Sequence, residues 1–551
     1  MDRMSRSSSS STHSRAIRVF RKWMASNGIE WSDALEFGMG NVIVADTGVI
    51  AVCDLKEGDL IATIPKWACL TVKTTMAAEL LEQAGLAGVL GLTVALMYER
   101  SKAEESMWYG YLQLLPHQQM LPFLWTTEEI DNLLIGTELH KVIKTDKRLM
   151  KEDWQECISP LIEENPHEFP RKWFSFDQYL AAKSLVSSRS FEVDEYHGYG
   201  MVPLADLFNH KSAAEDVHFT SILSDCEVVC TTTNEVFPEA LQDSGACPSN
   251  TQEESFEEDT INGADNGESS CEVLEMILIK DVAKSLEIFN TYGSLSNAAL
   301  LDRYGFTESN NPFDIVNIDL VLTTEVCESY FSKRHVRNRV RLWRKAGFTA
   351  CKSEGTEYFE ICNSGKPQVE LIMLLHLMYA ADHICEALEN IIYEIRGQIE
   401  KVAEAFGWQN VVHGQMNETI VLQNVTIPSC VSSGTKKMQL NLEQLCGSTI
   451  EVNGLEQSDT LMVSLDPFEM RLLSPNVCQI MLLLLQKRDS LYPTPSLADD
   501  QQILQCTSFT EDPKLFHAVS LRASEREILR RCGNFISPFL GLQKIFLPDI
   551  L

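Results

Sequence analysis

Sixteen cysteines are scattered from Cys53 to Cys532 without one C-x-x-C pair and without a Cys/His cluster at zinc-ligand spacing. That absence predicts no metal and points to a reduced, intracellular compartment, cytoplasmic, nuclear or both. Long apolar runs are also missing. The longest, 85–97 and 480–485, fall well short of the roughly 20 residues a bilayer-crossing helix needs, so no membrane span is expected. Positive charge is scarce: 46 Lys and Arg stand against 78 Asp and Glu, a net charge of -32. Such a surface repels a phosphate backbone and attracts basic protein segments, so nucleic acid is not expected as a partner. Between Lys211 and Lys280 there is no Lys or Arg at all. The interior of that stretch, 224–271, is dominated by Asp, Glu, Ser, Thr, Asn and Gly. It cannot bury enough apolar area to repay chain ordering, and a disordered acidic loop is expected there.

What is present suits a multidomain soluble enzyme: 551 residues, 44% of them hydrophobic. Residues 1–14 are rich in Ser and Arg, but an amphipathic pattern of Ile17, Phe20, Trp23 and Met24 already begins at Arg15. We therefore expect a short disordered tail rather than a cleavable leader. The runs Asn41 to Asp46, Val49 to Cys53 and Leu60 to Ile64, the last closed by Pro65, predict a meander of short strands around the turn Lys56-Glu57-Gly58-Asp59. From Thr71 to about Ser187 the apolar spacing becomes helical. Strand-like runs, Val217 to Leu223 and Val273 to Ile279, flank the acidic loop, so it is expected to join neighbouring strands. Beyond Pro312 a strand over Ile315 to Leu322 is predicted, then one long helix over Val369 to Phe406, stopped by Gly407. Further helices are expected over Asn476 to Arg488, Leu497 to Cys506 and Pro513 to Cys532, the last with a capping-box pattern Ser524-x-x-Glu527. The Met, Leu and aromatic stripes of this region read as packing and are given no chemistry.

Three constellations carry chemistry. The first is Phe37-Gly38-Met39-Gly40, a turn whose glycines let the backbone approach a ligand. The second is Val202-Pro203-Leu204-Ala205-Asp206-Leu207-Phe208-Asn209-His210, preceded by Ser188-Arg189-Ser190-Phe191. The third runs from Glu287-Ile288-Phe289-Asn290-Thr291-Tyr292-Gly293 to Leu300-Leu301-Asp302-Arg303-Tyr304-Gly305-Phe306. Each has an ordinary reading: a tight turn, a loop Asn that caps, a buried Tyr whose hydroxyl has found a partner.

Together these segments resemble the catalytic half of the SET-domain methyltransferases. Trp108-Tyr109-Gly110-Tyr111, Leu121-Pro122-Phe123-Leu124-Trp125, Tyr492-Pro493-Thr494, Asp499-Asp500 and the stretch from Arg522 to Leu529 are similar to the insert and C-terminal domain of its Rubisco large-subunit methyltransferase class. The resemblance implies an α+β fold: a SET-domain β-fold with a helical insert, followed by a mostly α-helical C-terminal domain. Its parts would be 15–72, the insert 73–185, the catalytic core 186–311 and a helical substrate-binding domain 312–551. It implies S-adenosyl-L-methionine as cofactor, held by Phe37, Gly38, Met39, Asn209, His210 and Tyr292. Tyr292 would be catalytic, with Arg189, Asp206, Phe219 and Tyr304 on the substrate side. The implied activity is protein-lysine N-methylation of a non-histone protein or histone by a monomer acting on an accessible lysine. A protein-histidine methyltransferase is an alternative, although relatives of that kind lack the tyrosine matching Tyr304. A catalytically silent SET module serving as a binding scaffold is the other. Two departures stand out: the long acidic loop, and Lys211 where many relatives carry Ser.

Overall fold

A computed structural model describes residues 15–38, 47–222, 228–230, 273–353, 356–405 and 472–540. Met39, most of the acidic loop, the strand expected over Asn41 to Asp46 and the stop at Gly407 lie outside them. The described chain falls into two compact units. The first comprises 1–125, 143–295 and 299–308; the second comprises 126–142, 296–298 and 309–551.

The first unit is built on small antiparallel sheets. One has the order β1 (Glu30–Trp31), β4 (Leu60–Pro65), β10 (Val273–Leu278), β8 (Val217–Ile222) and β9 (Val228–Cys230). β10 lies at its centre because Leu274, Met276 and Leu278 alternate inward, the period-two pattern that fixes register. Its register sets Leu274 opposite Ile64 on β4 and Met276 opposite Phe219 on β8. The two strands flanking the acidic stretch are thus neighbours, as expected. One part of the loop reading needs correction: Val228–Cys230, inside 224–271, is a strand, and it pairs Thr220↔Cys230 on β8. Its two valines have the β preference that the acidic residues of the stretch lack.

A hairpin of β2 (Leu35–Gly38) and β3 (Gly48–Ala51) forms a second sheet, and β5 (Leu70–Thr71), β7 (Gly198–Met201) and β6 (Ser190–Asp194) form a third. Helices cover these sheets. The helix Gly88–Lys102 is buried from Gly91 to Glu99 and packs against Phe176–Arg189. Glu99 is tolerated at its core because Thr75 and Ser106 hydroxyls and the Met76 N–H all donate to it, at 2.6–2.9 Å. The first helix, described over 15–26, buries Phe20, Trp23 and Met24.

The second unit surrounds its own apolar core, with Val316, Ile318, Trp343, Phe359, Leu374, Met481 and Ile528 among its members. Its sheet has the order β11 (Ile315–Asp319), β13 (Thr356–Cys362) and β12 (Cys351–Ser353). Three expectations fail here. The strand predicted to Leu322 ends at Asp319, and a helix runs over Leu320–Glu328; Leu320, Leu322 and Thr323 are buried at helical spacing, and the Thr323 hydroxyl bonds back to the Asp319 carbonyl. The single helix expected over Val369 to Phe406 is two, Val369–Tyr379 and Asp382–Ala405. Ala380 is extended there (φ -62, ψ 135), and Arg339 holds the break by donating to its carbonyl at 2.8 Å and to Asp382 at 2.7 Å. Ser524 caps nothing: its helix runs Pro513–Ile536 with Asp512 as cap, and Ser524 instead donates to Asp314.

Candidate active site

The backbone before Asn209 is bent sharply. Leu204, fully buried, is held at φ +78, a conformation a side-chain-bearing residue adopts only under constraint, and the turn Ala205–Leu207 follows. Strained backbone of this kind is found where side chains must be aimed. Here it delivers Asp206, Phe208, Asn209 and His210 to one place.

The segment 208–211 then pairs with 289–292, about 80 residues later. Asn290 N–H donates to the Asn209 carbonyl at 2.8 Å, and Lys211 N–H to the Asn290 carbonyl at 3.3 Å. His210 and Asn290 form a parallel bridge. The Tyr292 N–H donates to His210 Nδ1 at 2.9 Å, and the Tyr292 hydroxyl to the Phe208 carbonyl at 3.2 Å. Asn209 Nδ2 donates to Glu287 at 2.6 Å and to the Thr47 carbonyl at 3.4 Å. Ile288 N–H reaches the Val49 carbonyl at 2.8 Å. Asn209, His210 and Tyr292 therefore form one cluster beside the loop end of the β2–β3 hairpin.

That hairpin end is Gly38, paired with Gly48 one residue from Thr47. A Cβ added to Gly38 would meet nothing within 4 Å among the described residues. Phe37 is buried under the Arg21 guanidinium, 4.9 Å from its ring centroid.

Aromatic rings close the other side. Tyr292 stacks on Tyr304 with centroids 4.4 Å apart, and His210 lies 5.0 Å from Tyr292. Tyr304 ends the helix Asn297–Tyr304, after which Gly305 turns at φ +80, a conformation that suits glycine; a Cβ there would also sit 3.2 Å from the Met120 carbonyl. Burial raises the Tyr292 phenol well above its usual range, reinforced by Tyr304, and pushes Tyr304 up to about 12. Both stay hydroxyls at any physiological pH. Burial also lowers His210 to about 4, so the ring is neutral; since Nδ1 accepts from Tyr292, the proton sits on Nε2 and is donated to Ser212 Oγ at 3.1 Å.

Asp206 and Arg189 stand beside this cluster. Arg189, the last residue of Phe176–Arg189, donates to the Asp206 carbonyl at 3.1 Å and to its Oδ2 at 3.3 Å. Both act electrostatically on the Tyr292 hydroxyl. Phe219 is buried on β8 with its ring 5.5 Å from Phe191, two residues beyond Arg189. Sequence reasoning assigned no role to Tyr111, Glu287 or Thr47. Tyr111 donates to Asp206 Oδ2 at 2.8 Å across 95 residues, a pairing no local spacing signals. Among the described residues no group of His, Cys, Asp and Glu could hold a metal ion, and no helix is long and apolar enough to cross a membrane.

No family model matches the chain. Ribosomal lysine N-methyltransferase 3 of Saccharomyces cerevisiae is 28% identical over 359 residues, 54% of this chain and 63% of that protein. The N-lysine methyltransferase setd6 of Xenopus laevis is 27% identical over 330 residues, 56% of this chain and 61% of that protein. The chain thus spans about three fifths of the length of these curated relatives. Among solved structures, the SET domain of LSMT bound to lysine and AdoHcy superimposes with a TM-score of 0.57 at 18% identity, covering 95% of this chain and 91% of that one. Rubisco LSMT bound to AdoMet gives 0.55 at 17% identity, covering 96% and 92%. At that identity the likeness shows the fold.

Proposed function

We propose that this chain, which has the SET-domain fold of the Rubisco large-subunit methyltransferase class, is an S-adenosyl-L-methionine-dependent protein-lysine N-methyltransferase. The observation that carries this reading is the crossing of 208–211 with 289–292, which puts Asn209, His210 and the Tyr292–Tyr304 pair around one point.

The residues present fit a sulfonium cofactor. Glu287 and Asp206 supply carboxylates, and the neutral His210 ring adds no like charge. The side-chain oxygen of Asn209 accepts no hydrogen bond among the described residues and can receive the amino-acid end, with Phe37 and Gly38 beside it; Met39 is assigned by the resemblance alone. When bound, the cofactor supplies an electrophilic methyl group together with its own leaving group. What remains for the protein is positioning and electrostatics. A lysine amine with an unperturbed pKa of about 10.4 must reach the site neutral. Buried aromatic walls disfavour its ammonium form, and two tyrosines that keep their protons can orient its lone pair. Tyr292, whose hydroxyl donates to Phe208, retains oxygen lone pairs to accept an N–H from the amine. We assign Tyr292 the catalytic role and place Tyr304, Arg189, Asp206 and Phe219 on the substrate side.

The substrate is a protein with an accessible lysine, histone or non-histone. The enzyme works as a monomer in cytoplasm, nucleus or both, without nucleic acid or membrane. The test incubates cell extract with isotope-labelled S-adenosylmethionine and either wild type or Tyr292→Phe, then locates the label by mass spectrometry. Label on lysine that falls at least a hundredfold, roughly the scale of a positioned acid–base group, is expected for the variant. Label on histidine, or none with wild type, overturns the reading.

A further inference from the structure

The helix Lys333–Lys345 has the opposite charge to the chain that carries it. From Ser329 to Ser353 there is no Asp or Glu, and the helix alone holds seven Lys and Arg, in a protein with a net charge of -32. Ser332 starts the helix by accepting the His335 N–H at 3.2 Å, and Val336, Val340, Leu342 and Trp343 bury its apolar side in the core of the second unit. The charged side faces out.

Four of the seven cations have a carboxylate close by. Lys333 stands 3.8 Å from Glu328, Arg339 donates to Asp382 at 2.7 Å, Arg344 meets Glu357, and Lys345 meets Glu389 at 3.0 Å. Arg334, Arg337 and Arg341 have none among the described residues. All three are exposed, and Arg337 turns back to donate to the Lys333 carbonyl at 3.3 Å. Spaced three and four positions apart, they form one stripe along the helix. The stripe opposes the fold that bears it: like charges at this spacing repel, and Lys333 and Arg334 lie in the first turn, where the helix dipole is also positive. An arriving anion relieves both.

We infer that this stripe is a docking surface for a partner protein that presents a short acidic segment. A guanidinium matches a carboxylate with two parallel N–H bonds. Arg337 and Arg341 are about 6 Å apart along the helix axis, close to the roughly 6.7 Å between alternate side chains of an extended peptide. A nucleic acid suits the stripe less well. Three arginines answer a fraction of the roughly 6–10 phosphates that a typical nucleic-acid contact neutralises, and a longer strand would run on over a chain whose remaining charge is acidic. A short segment ends where the stripe ends, and at about 0.1 M salt charges more than about 10 Å away are screened. With its apolar side inside the core, the helix has nothing to insert into a membrane.

The test uses the full chain and a fluorescent peptide of alternating Glu and Ser, read by anisotropy at about 0.1 M salt. Wild type should bind it, should ignore the same peptide with Gln for Glu, and should lose affinity as salt is added. The triple variant Arg334→Gln, Arg337→Gln, Arg341→Gln should bind roughly tenfold more weakly, the scale of three exposed ion pairs, with an unchanged urea midpoint because these side chains pack against nothing. Lysines at the same three positions should restore most of the affinity, which a packing defect would not allow. No binding by wild type, or equal binding by the glutamine variant, overturns the inference. So does an oligonucleotide, or a phosphatidylserine vesicle, that binds more tightly than the peptide through the same arginines. Peptide binding that emerges only after deletion of 231–272 would make the chain's own acidic stretch the occupant, and arginine-dependent self-association in sedimentation would make it a second copy; either result overturns the inference. None of these outcomes bears on methyl transfer, so the function proposed above stands or falls separately.

Discussion

His210 shows how one residue can serve the site without touching chemistry. Its ring accepts the Tyr292 N–H, donates to Ser212 and stacks on the Tyr292 ring, so protonation of Nδ1 would break the bond that fixes Tyr292. Burial holds the folded pKa near about 4 against 6.5 for the exposed ring, with Glu308 opposing weakly from 3.9 Å. Between those values the unfolded chain takes up a proton that the folded chain refuses. The stability carried by the neutral ring is therefore complete above 6.5 and is lost as pH falls through about 4. Carbon-13 NMR of histidine-labelled protein should show two resonances that titrate at about 4, those of His210 and the buried His517, and His210→Gln should remove one of them. A midpoint at 6.5 or above would mean that the ring is solvated or paired with charge and the crossing is looser than described. The sequence named His210 and Asn209 by motif, but the partners that define them, Tyr292 N–H and Glu287, lie about 80 positions away. Tyr111 was quoted for its motif and left without a role for the same reason: a hydrogen bond across 95 residues leaves no periodic trace.

Local pattern carried furthest where burial has a simple period. The alternation in Val273–Leu278 and the spacing of Phe20, Trp23 and Met24 gave a strand and a helix that the structure contains. It failed where a tertiary contact outvoted propensity. The continuous apolar stripe after Val369 gave no sign that Arg339 would claim the Ala380 carbonyl, and the Ser524 pattern looked like a cap because its partner Asp314 was invisible. Gly110 is an example of the reverse, a residue whose need is plain only in three dimensions. In the short helix Tyr109–Leu112, a Cβ at Gly110 would lie 2.4 Å from Trp23 Cβ, so the first helix docks only because nothing projects there. Trp23 also donates to the Met107 carbonyl at 2.6 Å. Gly110→Ala should force the helices apart and lower stability by roughly 1–3 kcal/mol, the usual cost of overpacking. The expected readout is a lower urea midpoint with a red-shifted tryptophan emission. An unchanged midpoint would show that the 15–26 helix is not held through this contact.

At the scale of the whole molecule the deciding quantity is charge. A net of -32 over 551 residues, with no Lys or Arg from 212 to 279, surrounds the protein with a negative field. Such a field has two readings: it keeps a large protein soluble, or it gathers basic segments around a lysine-accepting site. Salt separates them, because screening removes long-range attraction beyond a Debye length of about 10 Å at 0.1 M and leaves contacts inside a buried site largely untouched. If the field gathers substrate, KM for a lysine-rich peptide acceptor should rise severalfold between roughly 0.02 and 0.3 M salt while kcat stays nearly constant, since steering acts on encounter rather than on the reacting groups. A peptide with the same target lysine and its flanking lysines replaced by glutamine should show a flat KM. The acidic stretch itself contributes if its removal reduces the salt slope for the basic peptide and leaves the neutral one alone. A flat KM for both peptides would assign the charge to solubility, and substrate choice would then rest on short-range contacts such as those of Tyr292, Tyr304 and Asp206.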